Sequence, residues 1–219
     1  MAQIIYLIRH SKWFWMPVLV FLLLGLCWIW QVDNTAISLW INGRHSIAGD
    51  VFWRAMTWMG DGITMSILIF LLLFIRFRTA FLAAAALLVS SLAAQWLKHF
   101  FAHDRPSLVL SGMDLHLVPG VQLYAHFSFP SGHTTAAFCI YGVLAVLSGR
   151  PVLQWLFFLI AALVGISRIY LLQHFMEDVL FGALLGTMTA YLLTGILLHQ
   201  KWMWTSVWDQ NLLSLIRKK

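Results

Sequence analysis

Three polar clusters interrupt a chain that is otherwise apolar. The first is Lys98-His-Phe-Phe-Ala-His-Asp-Arg105-Pro106 and the second is Phe129-Pro130-Ser131-Gly132-His133. The third is Ser167-Arg168, followed after five residues by His174 and after three more by Asp178. Together they hold the groups needed to bind and cleave a phosphate ester. Arg offers a fork of paired donors to phosphate oxygens and Lys a point charge. A helix opening at Ser131-Gly132 adds free backbone N–H groups that attract an anion. Cations of this kind can neutralise a transferring phosphoryl group without a metal. The sequence also has no carboxylate-rich metal cluster, because Glu177-Asp178 is its only adjacent acidic pair.

Taken singly, each cluster has a local reading. Lys98, Arg105 and Arg168 suit the snorkelling cations of span ends. Ser131 suits a helix N-cap, and His174 and Asp178, four apart, suit a hydrogen-bonded pair on one helix face. Brought to one place, the three cations and two histidines make a site for a tetrahedral oxyanion. A neutral His174, held in one tautomer by Asp178, can attack phosphorus and form a phosphohistidine. A protonated His133 can give its proton to the leaving oxygen and later take one from water. The environment then has to keep one histidine neutral and the other charged.

In their order and spacing, Lys-x6-Arg-Pro, Pro-Ser-Gly-His and Ser-Arg-x5-His-x3-Asp resemble the three-part signature of the phosphatidic acid phosphatase type 2 family. That family includes bacterial undecaprenyl-diphosphate, phosphatidylglycerophosphate and lipid A phosphatases. Every signature position is filled, by Lys98, Arg105, Pro106, Ser131, Gly132, His133, Ser167, Arg168, His174 and Asp178. The resemblance implies that His174 is the nucleophile, His133 the general acid and Asp178 the orienting carboxylate. It assigns the phosphate to Lys98, Arg105, Arg168, Ser131 and Gly132, with no metal and no cofactor. The implied partner is a phosphorylated membrane lipid, such as phosphatidate, phosphatidylglycerophosphate, undecaprenyl diphosphate or lipid A.

The elements that must position these residues are membrane helices. Of 219 residues, 61% are hydrophobic and 10% charged, and the mean hydropathy is +0.83. A soluble domain carries roughly a quarter charged residues, so this surface needs lipid to cover it. The expectation is an all-α, six-transmembrane-helix bundle forming one domain over 1–219. Apolar runs cover about Trp13 to Val32, Gly62 to Ile75, Thr79 to Leu97, Thr134 to Leu147, Val152 to Ile166 and Val179 to Leu198. Several are short of the roughly 20 residues a span requires, so their motif-bearing ends should continue as helix. Asn34 to Asp61 mixes tryptophans with charge and suits one or two interfacial amphipathic helices or an ordinary loop. The long connection, about Lys98 to Pro130, has the length of a functional loop.

Basic residues give the orientation. Arg9, Lys12, Arg76, Arg78, Arg150, Lys201, Arg217, Lys218 and Lys219 share one side of a six-span arrangement. Arg44, Arg54, Lys98, Arg105 and Arg168 lie on the other. The richer side is cytoplasmic, which puts both termini inside the cytoplasmic (inner) membrane and the site on the periplasmic or exterior face. This topology accounts for the net charge of +6 without a nucleic-acid partner. Cys27 and Cys139 read as small core residues. His99, His103, His116 and His126 suit solvated or interfacial positions more than head-group contacts, and Asp104, next to Arg105, a local ion pair or turn residue more than a catalytic acid. Lys201 to Trp208 reads as an inner aromatic belt, while the outer loop with Ser107, Asp114, Gln122 and Tyr124 has room for a large head. Two other functions use the same residues: a lipid-to-lipid phosphotransferase, or a carrier that only binds head groups.

Overall fold

A computed structural model describes residues 2–216, and every regular element among them is helical. In chain order these are α1 (Ala2–His10), α2 (Lys12–Gln31), α3 (Asn34–Asn42), α4 (Ile47–Trp58), α5 (Gly62–Leu72) and α6 (Phe77–Phe101). They continue with α7 (Pro106–Val109), α8 (Gly132–Ser148), α9 (Pro151–Tyr170) and α10 (Met176–Leu198). Two 3₁₀ turns (Lys201–Trp204 and Ser206–Asp209) and α11 (Leu212–Ile216) follow. Arg217, Lys218 and Lys219, counted above on the inner side, lie outside the described residues.

Four helices, α2, α6, α9 and α10, are long and apolar enough to cross a membrane. A fifth candidate is the pair α4 and α5, which meet at a 55° bend and pass the same test together. Helix α8 is apolar but has only 17 residues. At 1.5 Å per residue, α5 alone reaches only about 17 Å. The 34–61 stretch forms two helices, and the second does more than lie along a surface. Trp53 packs on Tyr170 of α9 at 5.7 Å, and Thr57 bonds Arg168.

Helix α8 is the hub, buried over nearly its whole length between α6, α9 and α10. The outer faces of α2, α5 and α6 leave Leu24, Ile67, Leu88 and Leu92 exposed. This outward apolar surface calls for lipid, not water. The closest helix approach is set by Gly182 and Gly186 of α10. A Cβ at Gly182 would lie 2.8 Å from the Ser131 carbonyl, and one at Gly186 2.3 Å from the Thr135 carbonyl and 2.9 Å from the Cys139 nitrogen. Small residues four apart allow such backbone contact, and here the contact fixes the start of α8 against the start of α10.

Helix ends run past the apolar stretches, as the sequence implied. Helix α6 continues beyond Lys98 to Phe101, and α9 beyond Arg168 to Tyr170. Helix α1 was not foreseen. It is tied in by Ser11, whose hydroxyl is 2.7 Å from that of Tyr191, and by Gln154, which donates to the His10 carbonyl. Cys139 is buried, but Cys27 faces outward and is no core residue. Beyond α10, the tryptophan-rich turns fold under the start of α6. There Arg78 donates to the Met203 carbonyl and Asp209 and lies 4.4 Å from the Trp204 ring.

The long loop is held at both limbs and at its tip. Arg105 N–H donates to Ala125 O and Ser128 N–H to His103 O, both at 2.8 Å, so the outgoing and returning limbs pair. Ser107, Gln122 and Tyr124 bond within the loop or to Gln173. At the tip, His116 bonds Asp50 through its ring and Asn42 through its backbone, and Arg54 reaches Pro119 O. Because Gly186 meets backbone and not flexible side-chain ends, Gly186→Ala should destabilise the protein by about 1–3 kcal/mol. Thermal unfolding in detergent checks this, and an unchanged midpoint would contradict the close α8–α10 contact.

Candidate active site

All three sequence clusters meet at one end of the bundle. Lys98 comes from the last turn of α6, Arg168 from the last turn of α9, and Asp178 from the first turn of α10. Ser131 is the N-cap of α8, and Arg105 and His174 lie in the loops between.

Lys98 and Arg168 are only 8% and 6% exposed. The Lys98 ammonium donates to Phe127 O at 2.6 Å. Arg105 donates to His126 O at 2.9 Å, to the Gln173 side-chain oxygen at 3.1 Å and to Phe127 O at 3.4 Å. Arg168 donates to the Thr57 hydroxyl at 2.5 Å, and its Nε is buried with no hydrogen-bond partner. Among the described residues, none of these three cations forms an ion pair with a carboxylate. Charges in a low-dielectric setting normally pair, so this cluster presents unspent donors to an anion.

His174 is 1% exposed. Its Nδ1 lies 3.3 Å from Asp178 Oδ2 and 3.4 Å from Ser128 Oγ. The Ser128 hydroxyl donates to the same carboxylate oxygen at 2.5 Å, and Phe175 N–H at 2.9 Å. The pair does not share a helix face. His174 precedes the N-cap Phe175, and Asp178 reaches back from the third helical position, so one carboxylate caps α10 and faces the imidazole. With Nδ1 turned to Asp178, Nε2 is the free nitrogen. Burial, reinforced by Arg168, Arg105 and Lys98, holds the imidazole well below the usual histidine range, so it is neutral at pH 7.

At the start of α8, Ser131 Oγ accepts from Thr134 N–H and, at 2.9 Å, from the Thr134 hydroxyl. The Ser131 proton therefore remains free for a phosphate oxygen. Gly132 and His133 occupy the first two helical positions, before the first i→i−4 bond, made by Thr135 to Ser131 O at 2.9 Å. A Cβ at Gly132 would meet nothing closer than Lys98 Cε at 3.9 Å, so the first turn of α8 has open space beside the Lys98 side chain. His133 Nε2 stands 3.8 Å from Asp61 Oδ2. A cavity of about 300 Å³, lined among others by Ser66, Gln95, Lys98, Gly132 and His133, opens beside it between α5, α6 and α8.

Sequence reasoning missed Thr57, Asp61, Ser128 and Gln173. Ser128 sits three residues before Ser131 and had no spacing partner, and Thr57 and Asp61 lie outside the signature. Asp104 Oδ1 lies 2.6 Å from His126 Nδ1, so its local partner is this histidine and not the adjacent Arg105. One His and acid group, His103, Glu177 and Asp178, brings ligand atoms within 4.8 Å of one another. Asp178 Oδ1 there is buried with no hydrogen-bond partner, while Oδ2 is committed to Ser128 and Phe175.

The sequence model of the PAP2 superfamily matches residues 79–202. The chain belongs to the PAP2 superfamily. This PAP2 chain is 44% identical over 78 residues to phosphatidylglycerophosphatase B of Bacillus subtilis (strain 168), covering 32% of the chain. That match spans only 38% of the relative's length. Lipid A 4′-phosphatase of Porphyromonas gingivalis is 28% identical over 190 residues, covering 81% of the chain and 78% of the relative. The crystal structure of Aquifex aeolicus LpxE superposes with a TM-score of 0.64 at 30% identity, covering 72% of this chain and 92% of that one. A transmembrane PAP2-type phosphatidylglycerolphosphate phosphatase from Bacillus subtilis gives a TM-score of 0.64 at 26% identity, covering 85% and 96%. The family and the relatives named as phosphatases put this PAP2 chain among integral membrane phosphoric ester hydrolases.

Because His174 is held neutral, the acid limb of kcat/KM, corrected for ionisation of the substrate, should lie below about pH 6.5. Activity is then retained as the pH falls through the ordinary histidine range and is lost only below it. An acid limb at or above that pH would contradict the buried, cation-flanked imidazole.

Proposed function

We propose that the protein removes phosphate from a membrane lipid, without a metal, through a phosphohistidine on His174. The observation that carries this reading is the set of buried (Lys98, Arg168) and half-buried (Arg105) cations without carboxylate partners beside a neutral, carboxylate-oriented imidazole. A phosphate group supplies the negative charge that Lys98, Arg105 and the unpartnered Nε of Arg168 lack.

His174 Nε2 attacks phosphorus as the bond to the leaving oxygen breaks. His133 gives its proton to that oxygen. Lys98, Arg105, Arg168, the Ser131 hydroxyl and the N–H groups of Gly132 and His133 hold the three remaining phosphoryl oxygens. Water then attacks the phosphohistidine, His133 takes a proton from it, and inorganic phosphate leaves. Asp178, steadied by Ser128, keeps the Nδ1 proton of His174 in place and stabilises the positive imidazole as it forms.

The substrate class is a phosphorylated lipid of the phosphatidate, phosphatidylglycerophosphate, undecaprenyl diphosphate or lipid A type. Relatives named for phosphatidylglycerophosphate and for lipid A support it. So does a site at the helix ends, where a chain can stay in the bilayer while the head enters. Six spans, counting the α4–α5 pair and α8, with both termini cytoplasmic and the site on the outer face of the inner membrane, fit the basic-residue count.

His174→Ala should remove turnover by several powers of ten together with any trappable phosphoenzyme. His133→Ala should cost about 10² to 10⁴ on a lipid and much less on p-nitrophenyl phosphate, whose leaving group needs little protonation. Rescue of His174→Ala, and not His133→Ala, by the good leaving group would reverse the two roles. Lipid binding with no phosphate release would make the chain a carrier, and label passing to a second lipid a phosphotransferase. Wild-type activity should survive excess EDTA. Loss in EDTA and restoration by Mg²⁺ would instead implicate His103, Glu177 and Asp178.

A further inference from the structure

Asp61 is a carboxylate outside the three clusters, and three features bring it to the catalytic end of the bundle. It lies in the turn between α4 and α5, where its Oδ1 accepts from Ile63 N–H at 2.9 Å and caps α5. Its Oδ2 is left facing His133 Nε2 at 3.8 Å. The turn is pinned against α8 from both sides. Tyr141 donates to Met59 O at 3.1 Å, and a Cβ at Gly60 would lie 2.9 Å from His133 O and 2.4 Å from Val164 Cγ1. Only glycine allows that approach, so the placement of Asp61 over His133 is built into the backbone.

His133 otherwise faces positive charge. Lys98 from α6, Arg105 from the long loop, Arg168 from α9 and the His174 ring surround it. Burial, and then these like charges, act against the protonated form that a general acid needs. Asp61 is the one carboxylate within ion-pair distance of His133 among the described residues. We propose that Asp61 is the positioning residue of the general acid, its carboxylate facing His133 Nε2 and offsetting the cations around it, so that the protonated imidazole is favoured relative to a site without Asp61. At 3.8 Å the contact is an ion pair without a hydrogen bond, so the imidazolium proton stays free to leave. The proton moves from His133 to the leaving oxygen as the phosphorus–oxygen bond breaks, and returns to His133 from the attacking water.

This inference rests on the reading of His133 as the acid, and the test separates the two. Asn caps helices as well as Asp, so Asp61→Asn removes the charge and keeps the α5 cap. The basic limb of kcat/KM on a lipid phosphate should move to lower pH by about one unit. Turnover above pH 8 should fall about tenfold, while p-nitrophenyl phosphate changes less than about threefold and the thermal midpoint holds. Asp61→Glu should restore part of the limb. An unmoved basic limb in Asp61→Asn, or equal losses on both substrates with a lowered midpoint, would overturn the role of Asp61. If His133→Ala instead loses lipid and p-nitrophenyl phosphate equally, the assignment of His133 itself fails, whatever Asp61 does.

Discussion

Buried Lys98 and Arg168 and half-buried Arg105 meet at one end of the bundle with carbonyl and hydroxyl oxygens as partners in place of carboxylates. Removing charge from water is costly unless it is paired or well hydrogen-bonded, so the surrounding chain is arranged to supply oxygen dipoles. Phe127 O serves both Lys98 and Arg105. Phe127 does so from a left-handed backbone, φ 60°, and Leu172, in the turn that delivers His174, has φ 53°. Such conformations in non-glycine residues cost of order 1–3 kcal/mol and persist where the surroundings over-determine them. Pairing of the loop limbs and two N–H bonds to Arg168 O provide those surroundings. Carboxylate partners would have neutralised these charges within the protein, whereas oxygen dipoles leave the net positive charge in place.

Asp178 links this constraint to the fold. It caps α10 through Phe175 N–H, receives Ser128 and faces His174, while its own carbonyl accepts from Ser131 N–H at 3.1 Å. The start of α10, the start of α8 and His174 are therefore tied to one another. The glycines of α10 allow it by letting the two backbones touch.

Side-chain chemistry was legible in the sequence because Lys98, Arg105, Arg168, His133, His174 and Asp178 differ so sharply from their apolar surroundings. What supports them was not. Carbonyl oxygens such as Phe127 O carry no residue signature, and Ser128, Thr57 and Gln173 act through folded distance alone. Asp61 closes the mixed 34–61 stretch, has no spacing relation to the three clusters and caps α5 in the structure. The spacing of His174 and Asp178 suggested a helix face because i,i+4 periodicity cannot show where a helix starts. The same limit hid α1 and the bend between α4 and α5, since apolar runs report burial in lipid and not the turns between helices. Cys27 faces outward because an apolar span has a lipid side as well as a core side.

The most direct test is a structure of the vanadate-inhibited enzyme, in which vanadate stands in for the transferring phosphoryl group. Vanadium should be bonded to His174 Nε2, with its oxygens on Lys98, Arg105, Arg168 and the start of α8, and with His133 at the oxygen opposite His174. Vanadium on any other atom, or a metal ion bridging vanadate to Asp178, would contradict a cation cluster built to receive phosphate at His174.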